Sequence, residues 1–317
     1  MGKHLVEFLI SFLFGFTLCE DMMPVSVDDY FQLGGNLSKV TWAHAVNSKS
    51  LLEEALNGSI MMLEADVILG QLEGTGEGGS PIPVMGHPPT TSSDLSLEQF
   101  ISKVISSGKG KGIKLDFKSK EVFQQSENII EGILNTPEAD FPFWLNADIL
   151  PGPVNSETSP VDADYFLSTS VTKFPTATLS IGWTTNFGGS ITVGNYTTQH
   201  IDNMTDALNR NHVTKPVTFP VRAGIAAQSY DTLTKLIQSS ISGTTLTIWS
   251  PETDPVDFVA LKKLIVDLGH DKVYIDIPSS MMSKLQSDSS VSNIQPNISL
   301  LSSLLVLFTF LVLVNTQ

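Results

Sequence analysis

The sequence is poor in cysteine and arginine and rich in acidic residues. Its 317 residues include one cysteine, Cys19, and two arginines, Arg210 and Arg222. Removal of residues 1–19 as a leader would leave no cysteine, so disulfides are excluded and apolar burial must hold the fold together. Lys and Arg total 18 against 33 Asp and Glu, a formal charge of −15 at pH 7. A surface this acidic repels phosphate backbones, which excludes nucleic acid as a partner.

The motifs of several enzyme classes are also absent. The sequence contains no G-x-S-x-G, P-loop, H-E-x-x-H or C-x-x-C, which excludes the hydrolases, NTPases and zinc sites that depend on them. Residues 74–80 are glycine-rich but lack the lysine and the helix start of a phosphate loop, so we interpret them as a flexible loop. Hydrophobic residues make up 41% of the chain, which predicts a folded protein with a substantial core.

The two ends are predicted to lie outside a single folded domain that covers residues 20–286. Residues 1–19 combine an early lysine, an apolar run and small residues before the cleavage position, as signal peptides do. Residues 298–314 are apolar and uncharged, and no Lys or Arg follows them. This favours a GPI-attachment signal within residues 287–317, with a membrane span as the alternative. The candidate attachment residues are Ser287, Asp288 and Ser289.

Both ends predict a protein that reaches the extracellular face of the plasma membrane through the secretory pathway. Several N-x-S/T sequons agree with that compartment. A fifth sequon, at Asn297, falls in the segment that we expect to be removed. The predicted N-glycosylation sites are Asn36, Asn57, Asn195 and Asn203.

Eight β-rich runs alternate with helical patterns along the chain. Helices are indicated by a capping box of Ser50 and Glu53, by apolar spacing over residues 97–105, and by Pro255 and Gly269 at the two ends of a later helix. Eight strand–helix units predict an α/β fold, a (β/α)8 TIM barrel, with an open doubly wound sheet as the alternative. The predicted strands are residues 40–45, 60–69, 112–118, 142–150, 176–184, 217–223, 245–250 and 273–277.

Polar residues share one face of several predicted strands. Glu64 and Asp66 alternate with apolar neighbours, and Lys114, Asp116 and Lys118 do the same on the next strand. Because helices cover the outside of a barrel, we expect these side chains to point inward, near its C-terminal end. Less regular members of the same face, which could also form hydrogen bonds within the loops, are Asn146, Asp148 and Asp276.

The inward carboxylates predict a metal site. Acidic groups that converge inside a barrel repel each other, and a divalent cation removes that repulsion. Glu64, Asp66 and Asp116 offer the hard oxygen ligands that Mg²⁺ or Ca²⁺ prefers. A buried ion-pair network without a metal is the alternative. The cations that could balance the remaining charge or bind an anionic substrate are Lys114, Lys118 and Arg222.

Two histidines follow predicted strands. His44 ends the first strand, and His87 comes after the glycine-rich segment that follows the second. Both are predicted to lie at the rim of the barrel, where an imidazole pair suits general acid and base catalysis near neutral pH. The other histidines of the domain fall in helical or connecting segments, and we interpret them as structural: His200, His212 and His270.

Seven motifs carry a resemblance to a known family: WAHAVNS, MLEADV, PIPVMGHPP, GIKLDFKS, WLNADILPGP, LSIGWTT and VTFPVRA. From about Val40 to Ile277 the chain closely resembles the menorin family of extracellular proteins. Menorin-like proteins in turn resemble glycerophosphodiester phosphodiesterases and spider-venom sphingomyelinases D, so the resemblance implies a phospholipase-C-like TIM barrel. It also implies a metal site and acid/base pair at His44, Glu64, Asp66, His87 and Asp116, with Lys118 near the phosphate.

Two functions from different classes follow. The inner-face residues predict a metal-dependent phosphodiesterase that acts on a lipid or a glycan-linked phosphodiester. The family resemblance implies instead a non-catalytic cell-surface ligand that patterns sensory dendrites together with an adhesion protein. Where the diesterases continue with Arg-Gly, Ala45 and Val46 follow the first histidine here, so Arg222 would have to supply a phosphate-contacting arginine. A glycoside hydrolase with a carboxylate pair is a third option, but histidines and lysines at the rim suit phosphate better.

Overall fold

A parallel eight-stranded barrel forms the centre of the protein. The structure, a computed structural model, describes residues 23–74 and 79–287. Its eight barrel strands follow one another around the sheet in the order of the chain, and every neighbouring pair is parallel. The strands are β1 (Trp42–Ala43), β2 (Met62–Leu72), β5 (Gly112–Phe117), β6 (Phe143–Pro151), β7 (Thr178–Thr184), β8 (Thr218–Arg222), β9 (Thr245–Trp249) and β10 (Val273–Asp276).

Side chains hold together the two strands at the ends of this order. The rings of Trp42 on β1 and Tyr274 on β10 meet edge to face, with centroids 6.3 Å apart. At the other end of the same strands, Nδ1 of His44 lies 3.0 Å from Oδ2 of Asp276. The barrel is therefore nearly closed, and the predicted (β/α)8 architecture is confirmed, whereas the alternative of an open doubly wound sheet was wrong.

An excursion at the end of β2 adds two short strands. β3 (Ile82–Met85) runs antiparallel to β2, and β4 (Ser92–Ser93) runs parallel to it. The connection between these two strands contains His87, which directly follows Gly86. The excursion carries this histidine back to the C-terminal end of the barrel.

Helices follow most strands and cover the barrel. Along β5 the apolar side chains of Ile113, Leu115 and Phe117 are fully buried in the main core, as expected for positions that face helices. The helices are α1 (Val27–Phe31), α2 (Lys49–Asn57), α3 (Leu97–Ser106), α4 (Lys120–Leu134), α5 (Ala163–Lys173), α6 (Thr198–Arg210), α7 (Ala223–Ala226), α8 (Tyr230–Ser239), α9 (Phe258–Leu268) and α10 (Ser279–Gln286).

The start of two helices differs from the sequence prediction. Ser48, rather than Ser50, caps α2, because the Ser48 hydroxyl accepts the hydrogen bond from the Leu51 amide. The helix expected to begin at Pro255 begins at Phe258, where the Asp257 carboxylate accepts from the Ala260 amide. The prediction for α3 and the closing role of Gly269, which has a φ of 98°, are confirmed.

The two predicted terminal signals fall largely outside the part of the chain that the structure describes. The expected signal peptide, residues 1–19, lies wholly outside it, as do Asp288 and Ser289. Ser287 directly follows α10. Across residues 23–74 and 79–287, no helix combines the length and the apolar character that crossing a bilayer requires. The cleavage and attachment sites stay predictions.

Candidate functional site

A cavity of about 560 Å³ opens at the C-terminal ends of the barrel strands. In (β/α)8 enzymes this end of the barrel carries the active site, because the loops that follow the strands converge there. The structure brings all eight predicted catalytic, metal and phosphate-binding residues to this one cavity: His44, Glu64, Asp66, His87, Lys114, Asp116, Lys118 and Arg222.

Three carboxylates form a compact cluster at the base of the cavity. Asp66 on β2 and Asp116 on β5 are register partners, and Glu64 lies one inward position earlier on β2. One ligand oxygen from each residue lies within 4.8 Å of the other two. Glu64 and Asp66 are buried, and three converging carboxylate oxygens are the donor set that a hard divalent cation prefers. We call these residues the acidic triad; they fit Mg²⁺ or Ca²⁺.

Lys118 bridges two members of the acidic triad. Its ammonium lies 2.7 Å from Oδ1 of Asp66 and 2.5 Å from Oδ2 of Asp116. Burial opposes the charged lysine, but these two carboxylates outweigh that effect and raise the Lys118 pKa above its ordinary range. Burial by itself would raise the pKa of Asp66. The charge of the Lys118 ammonium and its hydrogen bond act in the opposite direction, so the pKa of Asp66 lies below its ordinary value. The lysine therefore compensates part of the negative charge by itself.

Glu64 has weaker cationic compensation and is held beside His44. Its Oε2 accepts the backbone N–H of Ala45 at 2.7 Å and lies 3.4 Å from Nδ1 of His44. Burial raises the pKa of Glu64, although His44 acts in the opposite direction. Ala45 adopts a φ of 56°, a left-handed conformation that costs a non-glycine residue about 1 kcal/mol or more. The turn after β1 thus stores strain where it brings an amide to the glutamate.

His44 is held as an imidazolium. Burial by itself would lower its pKa, but the charges of Glu64 and Asp276, together with the hydrogen bond to Asp276, raise it to about 10. Because Nδ1 contacts the carboxylates of Asp276 and Glu64, that nitrogen carries a proton in either charge state. The ring nitrogen left for a substrate is Nε2, which also carries a proton at neutral pH.

Amide side chains fix the orientation of the two aspartates. Asn47 donates to Oδ2 of Asp66 at 2.7 Å, and its own Oδ1 accepts the Asp66 backbone N–H at 2.9 Å. On the other side, Asn146 donates to Oδ1 of Asp116 at 2.7 Å and accepts from the Ser180 hydroxyl at 2.6 Å. Asn47 lies within the family motif that contains His44, but no pattern in the sequence predicts its contact with Asp66.

The remaining cations of the cavity differ in their freedom to bind an anion. Lys114 is buried next to Glu64 in the strand register, with its ammonium 5.8 Å from the centre of the Trp42 ring. Arg222 instead makes a two-pronged ion pair with Asp254, with nitrogen–oxygen distances of 2.5 and 2.8 Å. The guanidinium charge is therefore compensated within the protein. Asp254 lies in the loop after β9, and no local pattern in the sequence predicts its ion pair with Arg222.

His87 occupies the outer rim of the cavity. It is exposed, and its Nδ1 donates a hydrogen bond to the backbone oxygen of Pro88 at 2.7 Å. With Nδ1 protonated, Nε2 is the nitrogen that accepts a proton in the neutral ring. The two histidines therefore differ: His44 is a proton donor at neutral pH, and His87 is placed to accept one.

Comparison with known proteins identifies the family. Residues 36–282 match the Menorin N-terminal domain. Human Protein FAM151B is 37% identical over 240 residues, which are 76% of this chain and 83% of that protein. The chain belongs to the menorin family. The resemblance carried by the sequence motifs is thereby confirmed.

Several solved structures are similar to this menorin-family chain in architecture. A phosphodiesterase from Oleispira antarctica in complex with sn-glycerol-3-phosphate is 12% identical and has a TM-score of 0.42, with 78% of this chain and 95% of that chain covered. A glycerophosphoryl diester phosphodiesterase from Parabacteroides distasonis is 14% identical, with a TM-score of 0.44 and coverage of 86% and 98%. The GH53 catalytic domain from Ignisphaera aggregans is 11% identical, with a TM-score of 0.40 and coverage of 84% and 86%.

The four predicted N-glycosylation sites lie at different depths of this menorin-family barrel. Asn57 at the end of α2, Asn195 before α6 and Asn203 within α6 are exposed. Asn36 is half-buried, and its Oδ1 accepts a hydrogen bond from the Ser38 hydroxyl at 2.5 Å. Glycosylation at these positions stays a prediction, and the first three are the more accessible to an enzyme.

Proposed function

We propose that this menorin-family barrel is a metal-dependent phosphodiesterase that works on the extracellular face of the plasma membrane. The observation that carries the proposal is the meeting of three carboxylate oxygens within 4.8 Å of one another in a cavity that also contains His44, His87 and two lysines. The three carboxylates offer ligands for a cation, and the two lysines offer positive charge for an anionic substrate. The substrate class is a lipid or a glycan-linked phosphodiester.

The acidic triad would hold Mg²⁺ or Ca²⁺ through Glu64, Asp66 and Asp116. When bound, the cation supplies positive charge that stabilises the developing negative charge on the non-bridging phosphate oxygens. Lys114 and Lys118 add fixed positive charge in the same cavity. Because protein side chains surround the cavity, the effective dielectric there is lower than in bulk water, and each of these charges interacts more strongly with the phosphate.

The two histidines divide the proton transfers of hydrolysis between them. His87 accepts a proton at Nε2 from a water molecule as its oxygen forms the new bond to phosphorus. The bond from phosphorus to the alcohol oxygen breaks, and His44 gives its Nε2 proton to that oxygen. The products are a phosphomonoester and an alcohol, so charge and protons balance. Asp276 and Glu64 keep His44 protonated for the second transfer.

Turnover of a panel of glycerophosphodiesters tests the proposal. We expect hydrolysis by the purified full chain in Mg²⁺ or Ca²⁺, and loss of it in chelator. His44→Gln and Glu64→Gln should each lower kcat by about 10²–10⁴-fold, the usual contribution of a general acid or a charge-stabilising group. His212→Gln is the matched control, because His212 is exposed in the connection after α6. Turnover that persists in chelator, or in His44→Gln, would contradict the proposal.

A second candidate function is that of a non-catalytic cell-surface ligand for an adhesion or receptor protein. One observation favours it: Lys118 pairs with Asp66 and Asp116, and Arg222 pairs with Asp254, so much of the buried charge is compensated without a ligand. This candidate predicts that His44→Gln and His87→Gln leave binding to cells unchanged, whereas charge reversals on the outer helices abolish it. The phosphodiesterase proposal predicts instead that His44→Gln and His87→Gln abolish the biological activity, whereas charge reversals on the outer helices leave it unchanged.

We also propose that the chain is tethered by a GPI anchor near Ser287, with a single membrane span as the alternative. The support comes from the apolar, uncharged residues 298–314 and from the small residues at 287–289, which a polar stretch separates from them. Treatment of expressing cells with a phosphatidylinositol-specific phospholipase C should release the protein into the medium. Retention on the treated cells, with release of a known GPI-anchored control, would favour the membrane span.

A further inference from the structure

An additional carboxylate, that of Asp148 on β6, faces the cavity at the C-terminal end of the barrel. β6 and β7 pair residue by residue as far as Asp148 and Gly182, and the register then shifts so that Leu150 pairs with Trp183. Asp148 precedes this shift, so it shares the inward face of β6 with Asn146 through the ordinary alternation of the strand. Asp148 lines the same cavity as the acidic triad, one strand beyond Asp116 in the barrel order.

The neighbouring strand leaves room for this carboxylate. A Cβ atom at Gly182 would lie 2.8 Å from Oδ1 of Asp148, closer than any side chain tolerates. The absence of a side chain at Gly182 therefore permits the observed position of Asp148. The alternation of β6 and the glycine on β7 together allow an acidic group to face the cavity at this point.

Asp148 differs from the other acidic residues of the cavity because its carboxylate has no hydrogen-bond donor or cation at bonding distance within residues 23–74 and 79–287. Burial and the charge of Asp116 raise the pKa of Asp148 to about 7, although Lys118 and Lys114 act in the opposite direction. Near neutral pH this carboxyl is thus protonated in part of the molecules, and it can donate as well as accept a hydrogen bond.

A second polar group without a partner lies on the adjacent strand. Thr184 shares the inward face of β7 with Gly182, two residues earlier, and lines the same cavity. It is 2% exposed, and its hydroxyl makes no hydrogen bond with the rest of the described chain. Buried polar groups are nearly always paired, and leaving one unpaired costs about 1–3 kcal/mol. A buried hydroxyl without a partner, on the strand next to a half-buried carboxylate without one, indicates a position that a polar ligand completes.

We propose that Asp148 and Thr184 form a subsite for the alcohol part of the phosphodiester, and that they hydrogen-bond to its hydroxyl groups while the phosphate lies at the acidic triad. This inference rests on the proposed phosphodiesterase function and narrows the substrate class. The alcohol is a hydroxyl-rich one, such as glycerol or a sugar, because an acyl chain would leave both polar groups buried and unpaired. Hydroxyl side chains of Thr158, Ser159 and Thr185 line the same cavity.

Binding of two phosphomonoesters of equal charge tests the subsite. Glycerol 1-phosphate carries hydroxyl groups and methyl phosphate carries none, so their affinity ratio, measured by calorimetry on the full chain in Mg²⁺, reports the subsite alone. We expect the wild-type protein to bind glycerol 1-phosphate about tenfold more tightly, the value of one or two net hydrogen bonds. Asp148→Ala and Thr184→Val should each remove most of this preference, which is read as the ratio of the two affinities in each variant.

Controls and outcomes separate this inference from the proposal on which it rests. Asp206→Ala, at an exposed position of α6, should keep the preference, and Thr184→Val removes a hydroxyl at nearly constant volume, so that variant preserves packing. Methyl phosphate binding that is lost in Glu64→Gln supports the phosphate site independently of the subsite. If the wild type binds both esters equally, or if Asp148→Ala keeps the preference, the subsite is wrong while the phosphate site stands. If neither ester binds, both inferences fail.

Discussion

Replacement of Lys118 by methionine separates a metal site from a self-sufficient ion-pair network. The ammonium lies 2.7 Å from Asp66 and 2.5 Å from Asp116, and the lysine side chain is 22% exposed. Lys118→Met keeps most of the volume but leaves two carboxylates facing each other without their cation. Removal of one partner of a buried ion pair costs about 3–5 kcal/mol, and we expect the lower end because the ammonium keeps some contact with solvent.

A divalent cation should recover this loss if the acidic triad is a metal site. A ligand at about 100 times its Kd stabilises a protein by about 2.7 kcal/mol, close to the expected cost of Lys118→Met. The assay is urea unfolding followed by tryptophan fluorescence, in chelator and in saturating Mg²⁺ or Ca²⁺. Lys120→Met is the matched control, since Lys120 pairs with Asp162 at 2.8 Å on the surface, where a pair contributes at most about 1 kcal/mol.

Two results would overturn this interpretation. If Lys118→Met is destabilised in chelator and gains nothing from either cation, the cluster is an ion-pair network and the metal site is wrong. If the variant is as stable as the wild type in chelator, the lysine does not compensate the two aspartates. If Lys118→Met and Lys120→Met lower the unfolding free energy in chelator by the same amount, the lysine again does not compensate the two aspartates.

Three further predictions concern other parts of the molecule. The stabilisation contributed by His44, measured in chelator as the difference in unfolding free energy from His44→Gln, should be largest below pH 6.5 and should disappear as pH rises through the folded-state pKa of about 10; a difference that grows with pH would contradict the assigned charge. Asp254→Ala should destabilise the protein by about 3 kcal/mol, because it removes the buried carboxylate and leaves the half-buried Arg222 guanidinium without its ion-pair partner, and an unchanged urea midpoint would contradict this. Protein from a secretory host should lose mass on treatment with an N-glycosidase, and Asn203→Gln should remove one glycan's worth of that loss.

The inner face of the barrel could be predicted from the sequence because strand parity is a local property. Glu64 and Asp66 alternate with buried apolar residues on β2, and Asp116 does so on β5. Once these segments are parallel neighbours, the register brings Asp66 and Asp116 side by side. Lys118, two residues after Asp116, falls on the same face by the same alternation. The members of the acidic triad thus follow from patterns within single strands, and the fold follows from the repeated alternation of strands and helices.

The pairings and turns within the site could not be predicted in this way, because they depend on residues far apart in the sequence. The ion pair between Arg222 and Asp254 joins β8 to a loop after β9, and it changes an expected phosphate ligand into a compensated charge. The close approach of Asp148 to Gly182 likewise appears only in the pairing of β6 with β7. Local rules also left an error of two residues at the start of α2, because both Ser48 and Ser50 are good capping residues.

Anomalous diffraction from a crystal soaked in Mn²⁺, a stand-in for Mg²⁺, gives the most direct view of the barrel mouth. We predict one strong anomalous peak about 2.0–2.6 Å from a carboxylate oxygen of each of Glu64, Asp66 and Asp116, with the Lys118 ammonium moved away from at least one aspartate. A map without a peak there, and with Lys118 still bonded to both aspartates at saturating Mn²⁺, would contradict the metal site and with it the proposed phosphodiesterase.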